Sequence, residues 1–124
     1  MPVPLLESRP DLTVSKAVIR AANLLDLTQS DLADVLGLSR ATASRLANGS
    51  YHLDPARKRE WEMALLFIRM FRSLDALLGH GDQARTWLAG PNTALGGRRP
   101  IDEIKTVEGL VQVVQYLDAV RGKV

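Results

Sequence analysis

Apolar residues recur at helical spacing along most of the chain. Val14, Val18, Ala21 and Leu25 fall at i, i+4, i+7 and i+11, one stripe of a helix that Asp26-Leu27 ends. Ahead of it, residues 1–11 hold three prolines and predict a flexible N-terminal arm. Leu32, Val35 and Leu36 give a second helix its buried face, and Ala43, Leu46 and Ala47 a third. Asp54-Pro55 then predicts a helix start, with Asp54 as cap and proline at the first position, and the helix runs to about Leu78. Its apolar residues, from Trp61 through Phe67 and Phe71 to Leu78, are too many for one stripe. A helix apolar on two sides must be covered on two sides. One face is expected on the N-terminal bundle, another on the C-terminal region or a second subunit.

Gly79-His80-Gly81 breaks that helix, and Ala84, Trp87 and Leu88 share a face of a short one starting at Asp82. Gly90-Pro91-Asn92 and Leu95-Gly96-Gly97-Arg98-Arg99-Pro100 read as loop, with a single turn from Pro100 to Ile104. Thr106 caps a last helix whose stripe is Val107, Leu110, Val114 and Leu117, stopped by Gly122. Val111-Gln112-Val113-Val114 has strand character, but apolar spacing sustained over the whole segment favours helix.

The segment from Thr28 to Gly49 is the most specific. The Thr28 hydroxyl can cap the amide of Asp31, whose charge suits the first turn of a helix. Gly37 stands where the chain turns sharply, Ser39 caps the next helix, and Asn48-Gly49 stops it. This pattern leaves Arg40, Ala41, Thr42, Ser44 and Arg45 facing outward. A helix about 10–12 Å across fits the B-DNA major groove. Arg40 and Arg45 can make bidentate contacts to guanine, and the methyls of Ala41 and Thr42 can pack on thymine. Gln29, at the start of the preceding helix, can bond a phosphate beside that helix's free amides.

Composition narrows the alternatives. The 124 residues contain no cysteine and two histidines, His52 and His80, which excludes disulfides and thiolate metal sites and predicts no metal or cofactor. Net charge is only +2, but between Arg40 and Arg59 five basic residues face one acid, Asp54. No apolar run approaches the roughly 20 residues of a membrane span, and the N-terminus lacks the basic and apolar regions of a secretion signal, so a cytoplasmic protein is expected. No nucleophile–base or paired-carboxylate arrangement stands out; Asp102-Glu103 reads as a solvated pair, and no enzyme is expected. Gly96-Gly97-Arg98-Arg99 reads as a solvated turn rather than a phosphate cradle.

Leu27-Thr28-Gln29, Leu32-Ala33, Leu36-Gly37, Ser39, Thr42, Ser44-Arg45-Leu46 and Asn48-Gly49 resemble the Xre/Cro-like helix-turn-helix family. The resemblance implies base contacts from Arg40, Ala41 and Arg45 and phosphate contacts from Gln29 and its neighbours; Ala43 departs from it where many relatives carry a larger aliphatic residue. Trp87-Leu88, Pro91-Asn92, Leu95-Gly96-Gly97, Pro100-Ile101, Thr106, Gly109 and Gly122 resemble the toxin-binding domain of the Xre/MbcA/ParS antitoxin family. That second resemblance implies a RES-domain toxin that degrades NAD as partner, and autorepression of the operon.

The resulting expectation is an all-α protein. Residues 1–11 form the arm. Residues 12–60 form a Cro/lambda-repressor-like helix-turn-helix bundle that binds operator DNA through Thr28, Gln29, Ser39, Arg40, Ala41, Thr42, Ser44 and Arg45. A long helix joins it to a small helical toxin-binding and dimerisation domain, residues 61–124. Toxin contacts are expected from Trp87, Asn92, Leu95 and Arg98, and from Leu117, Arg121 and Lys123 in a C-terminal segment able to enter an anion-binding cleft. One short recognition helix buries little surface, so a homodimer or higher assembly on paired half-sites is expected, with no membrane partner. The alternative is a stand-alone repressor whose C-terminal module only dimerises; ParS-like relatives also suggest a polar-localisation adaptor.

Overall fold

The caps written into the sequence close in the structure, a computed structural model that describes residues 8–122. Thr28 accepts the Asp31 amide at 3.0 Å while Asp31 accepts the Thr28 amide at 3.2 Å, a reciprocal box that starts α2, Gln29–Leu36. Gly37 then takes a left-handed conformation (φ 72°), which only glycine adopts at little cost. Ser39 accepts the Thr42 amide at 3.0 Å and opens α3, Arg40–Asn48. Before these, α1 spans Pro10–Leu24. It ends where Asp26, at φ 60°, lets the Leu27 amide reach back to the Ala22 carbonyl at 2.9 Å.

After α3 come α4 (Lys58–Leu78), α5 (Asp82–Ala89), a 3₁₀ turn (Thr93–Leu95), α6 (Pro100–Glu103) and α7 (Val107–Val120). The architecture is all-helical, with no β-strand among the described residues. Val111–Val114 is helical, as its spacing favours.

Three expectations need correction. Pro10 and Asp11 belong to α1, not to an arm, because proline suits a first helical position and Asp11 a first turn; residues 1–7 of the expected arm lie outside the described residues. Asp54-Pro55 does not start α4. Asp54 instead accepts the Ala56 amide at 2.8 Å in a turn, and the helix begins at Lys58. Ala47 is exposed; Ala43 and Leu46 alone carry the buried face of α3.

The helix α4 is the spine. It buries Met63, Ala64, Phe67, Met70 and Leu74 and packs against α1 and α2 of the first half and α5 and α7 of the second. One apolar cluster therefore runs unbroken from Val18, Leu36 and Leu46 through Phe67 and Met70 to Leu95, Ile104, Leu110 and Leu117. The two-sided apolar pattern of this segment is explained within one chain.

Candidate functional site

Arg40, Ala41, Ser44 and Arg45 are exposed on α3, and Thr42 is half-buried beside them. The polar side chains form a chain of hydrogen bonds. Ser39 donates to the Thr42 hydroxyl at 2.9 Å, and the Arg45 guanidinium donates to the same oxygen at 3.2 Å. Arg45 is thus held along the outer face of the helix. Gln29 is exposed at the start of α2 next to the exposed cap Thr28. Both lie where free helix amides point outward. Of the eight expected DNA-facing residues, seven are exposed and Thr42 is half-buried.

The loop that follows α3 is anchored by residues that sequence reasoning passed over. The Tyr51 hydroxyl donates to Glu60 at 2.7 Å, and Arg57 lies 4.9 Å over the Tyr51 ring while donating to the His52 carbonyl at 2.8 Å. Buried Ser15 accepts the Leu53 amide at 2.9 Å. These contacts span up to 38 residues and leave no local signature.

The C-terminal half has its own geometry. Trp87 and Tyr116 stack with centroids 6.3 Å apart and planes at 7°, and both remain half-buried. Trp87 shares a shallow apolar groove with Leu78 and Thr86. Asn92 closes a small loop: its amide donates to the Arg98 carbonyl at 3.0 Å, and its side chain accepts the Ala94 amide at 2.8 Å. The Arg98 guanidinium folds over Gly96 and pairs with Glu103, and Arg99 pairs with Asp102 at 2.9 Å. The Gly96–Arg99 turn thus spends its charge on its own neighbours. Gly109 is required by packing, since a Cβ there would lie 1.9 Å from the Glu103 carbonyl oxygen.

The expected toxin contacts divide accordingly. Trp87, Asn92 and Arg98 retain accessible surface. Leu95 and Leu117 do not: they are 1% and 2% exposed and anchor the loop and α7 in the core. Their apolar character, read as a contact surface, belongs to packing. Arg121 is exposed and donates to Ser73 at 2.9 Å, and Ser73 in turn donates to Asp118 at 2.8 Å. Asp118 also pairs with Arg69 at 2.5 Å. The Ser73 hydroxyl and the Arg69 guanidinium hold the Asp118 carboxyl below its usual range. Lys123 lies outside the described residues.

The two halves meet at a third place. Lys105 lies 3.1 Å from Asp31 and 3.9 Å from Asp34, and Arg85 donates to the Leu24 carbonyl at 3.0 Å. Among the described residues no group of three or more His, Cys, Asp or Glu could hold a metal ion, and no helix is long and apolar enough to cross a membrane.

An exposed, capped recognition helix on an all-helical bundle, continuous with a second helical module, defines a helix-turn-helix DNA-binding protein with an added binding domain. Residues 6–69 match the antitoxin Xre-like helix-turn-helix domain, and residues 73–123 match the antitoxin Xre/MbcA/ParS C-terminal toxin-binding domain. The chain belongs to this Xre-like antitoxin family and is an antitoxin of a toxin–antitoxin system. Its fold is similar to a chain of the crystal structure of the M. tuberculosis MbcT–MbcA toxin–antitoxin complex. The TM-score is 0.66 at 25% identity, covering 90% of this chain and 96% of that one. Among curated proteins, none matches this sequence significantly.

Proposed function

We propose that this antitoxin binds and blocks a RES-type, NAD-degrading toxin and represses its own operon by binding DNA as a dimer. The observation that carries the reading is the presence of both surfaces on one continuous core. The hydrogen-bonded Ser39–Thr42–Arg45 face of α3 suits base readout, and the module around Trp87 and Asn92 falls within the toxin-binding domain. Likeness to a chain of the MbcT–MbcA complex supports a toxin as the partner, and the resemblance of the C-terminal half to the partners of RES-domain toxins supports that class. Arg40, Ala41, Thr42, Ser44 and Arg45 address base edges in an imperfect palindrome of the promoter, while Gln29, Thr28 and Ser39 address phosphates. Trp87, Asn92 and Arg98 contact the toxin surface, and the segment from Arg121 onward enters its anion-binding cleft. The protein acts in the cytoplasm and has no catalytic role.

Co-expression tests the reading. The product of the neighbouring gene is expected to arrest growth and deplete NAD when expressed alone, and this chain is expected to rescue it. A neighbour that is harmless, or that stays toxic in the presence of this chain, would sink the proposed pairing with a RES-type toxin.

A further inference from the structure

The outward face of α4 carries Lys58, Glu62, Leu65, Arg69, Arg72 and Ala76, all exposed. Successive members stand four, three, four, three and four residues apart, the spacing that keeps one row of side chains facing a second helix. The row is complementary to its own reverse. Turned end for end about the midpoint between Leu65 and Arg69, it places Glu62 against Arg72, Leu65 against Arg69 and Lys58 against Ala76. Glu62 and Arg72 lie about 15 Å apart along one helix, too far to pair within a chain. Neither forms an ion pair among the described residues.

The middle of the row is suited to contact. Leu65 is 45% exposed, and only it and Val120 are large apolar side chains left exposed among the described residues. The Arg69 guanidinium is turned aside onto Asp118, so its aliphatic stem can lie against an apolar neighbour with the charge already matched. Leu65, Arg69 and Arg72 line a groove of about 680 Å³ whose other wall is Asp118 and Arg121 of the C-terminal segment.

We propose that α4 is an interface between two copies of this chain. The two helices pack antiparallel across a two-fold axis between Leu65 and Arg69, and Glu62 of each copy pairs with Arg72 of the other. An isologous contact requires a surface complementary to itself, and charge order alone selects the antiparallel arrangement: parallel pairing in register would set Arg69 on Arg69 and Arg72 on Arg72. The inference rests on the proposed function only in that paired half-sites need paired recognition helices.

The test is a charge swap on the full chain, followed by analytical ultracentrifugation at low and high salt. The native chain is expected to be a dimer. Glu62→Arg and Arg72→Glu should each weaken it by about tenfold, because each reversal acts twice across the axis. Together they should restore the native constant to within about threefold. Both side chains are exposed, so circular dichroism should be unchanged in all three variants, and the melting temperature of the single variants should fall only as far as their weaker association accounts for. A monomeric native chain, single variants that associate normally, or a double variant no better than the singles would each overturn the proposal. So would variants that still self-associate but fail to co-purify with the toxin, which would assign this face to the toxin. A chain that obeys the swap yet neither binds its promoter nor rescues the neighbour's toxicity would defeat the functional reading and leave the interface standing.

Discussion

The Lys105 ammonium lies 3.1 Å from the Asp31 carboxylate, tying the turn before α7 to the first turn of α2. Both side chains keep about a quarter of their surface, 29% and 26%. The toxin-binding half thereby touches the same capping box that fixes the start of α2 in the helix-turn-helix half. Lys105→Met should cost about 0.5–1 kcal/mol, less in high salt, read by urea denaturation.

That cost should depend on pH. Partial burial pushes the Asp31 carboxyl up, but the Thr28 amide and Lys105 outweigh it and hold the group below its usual value. A carboxyl lowered by folding contributes in full above its unfolded pKa, about 3.9, and the contribution is lost as the pH falls through the folded value. The difference between native chain and Lys105→Met should therefore be constant from neutral pH to about pH 5 and shrink below about pH 4. A difference that grows in acid would show that Asp31 is not the partner that matters.

Arg45→Ala and Arg40→Ala should each cost about 1–3 kcal/mol at the promoter site and relax base preference there. Thr42→Val removes the hydroxyl that accepts Arg45 and should weaken the same site without removing a charge. Gln29→Ala should weaken all sequences alike, as a phosphate contact does. Gel-shift titrations on cognate and scrambled duplexes separate these cases.

Gly109→Ala places a methyl against the Glu103 carbonyl. A backbone atom cannot step aside as a flexible side chain can, so the substitution should cost about 3 kcal/mol and a visible drop in melting temperature. Gly97→Ala, where a Cβ meets nothing within 4 Å but φ is 80°, should cost only about 1 kcal/mol, from backbone strain. The order of the two melting temperatures checks the packing account.

Ending the chain after Val120 removes Arg121 and its hydrogen bond to Ser73. The bond is part-buried on the Ser73 side and its loss should cost about 0.5–1.5 kcal/mol. Growth rescue should be lost while promoter affinity stays within about twofold, since α2 and α3 are untouched. Full rescue by the truncated chain would show that the tail does not block the toxin.

Local chemistry was legible in the sequence, and non-local chemistry was not. Thr28, Ser39 and Thr106 announce helix starts because a capping hydroxyl needs only an amide three residues on, and Gly37 announces a turn because few residues tolerate its φ. Asp54-Pro55 carries the same kind of signal but yields a turn, since Arg57 is drawn onto Tyr51, Glu60 and the His52 carbonyl. The pairs Lys105–Asp31, Trp87–Tyr116 and Arg69–Asp118 join residues distant along the chain, and their spacing encodes nothing. Leu95 and Leu117 show the limit from the other side: an apolar residue in a loop or near the end of a last helix reads equally as contact or as core, and only packing decides.

Because α4 lines the core under the recognition helix and the core under Trp87 alike, it works as a party wall rather than a hinge. A fragment stopping before it would strip Met63, Ala64 and Phe67 from the DNA-reading bundle. One starting after it would leave α7 without its main support. Neither half can be lifted out intact, so heat, protease or selection that loosens one must loosen the other. The helix-turn-helix half and the toxin-binding half then share a single melting transition.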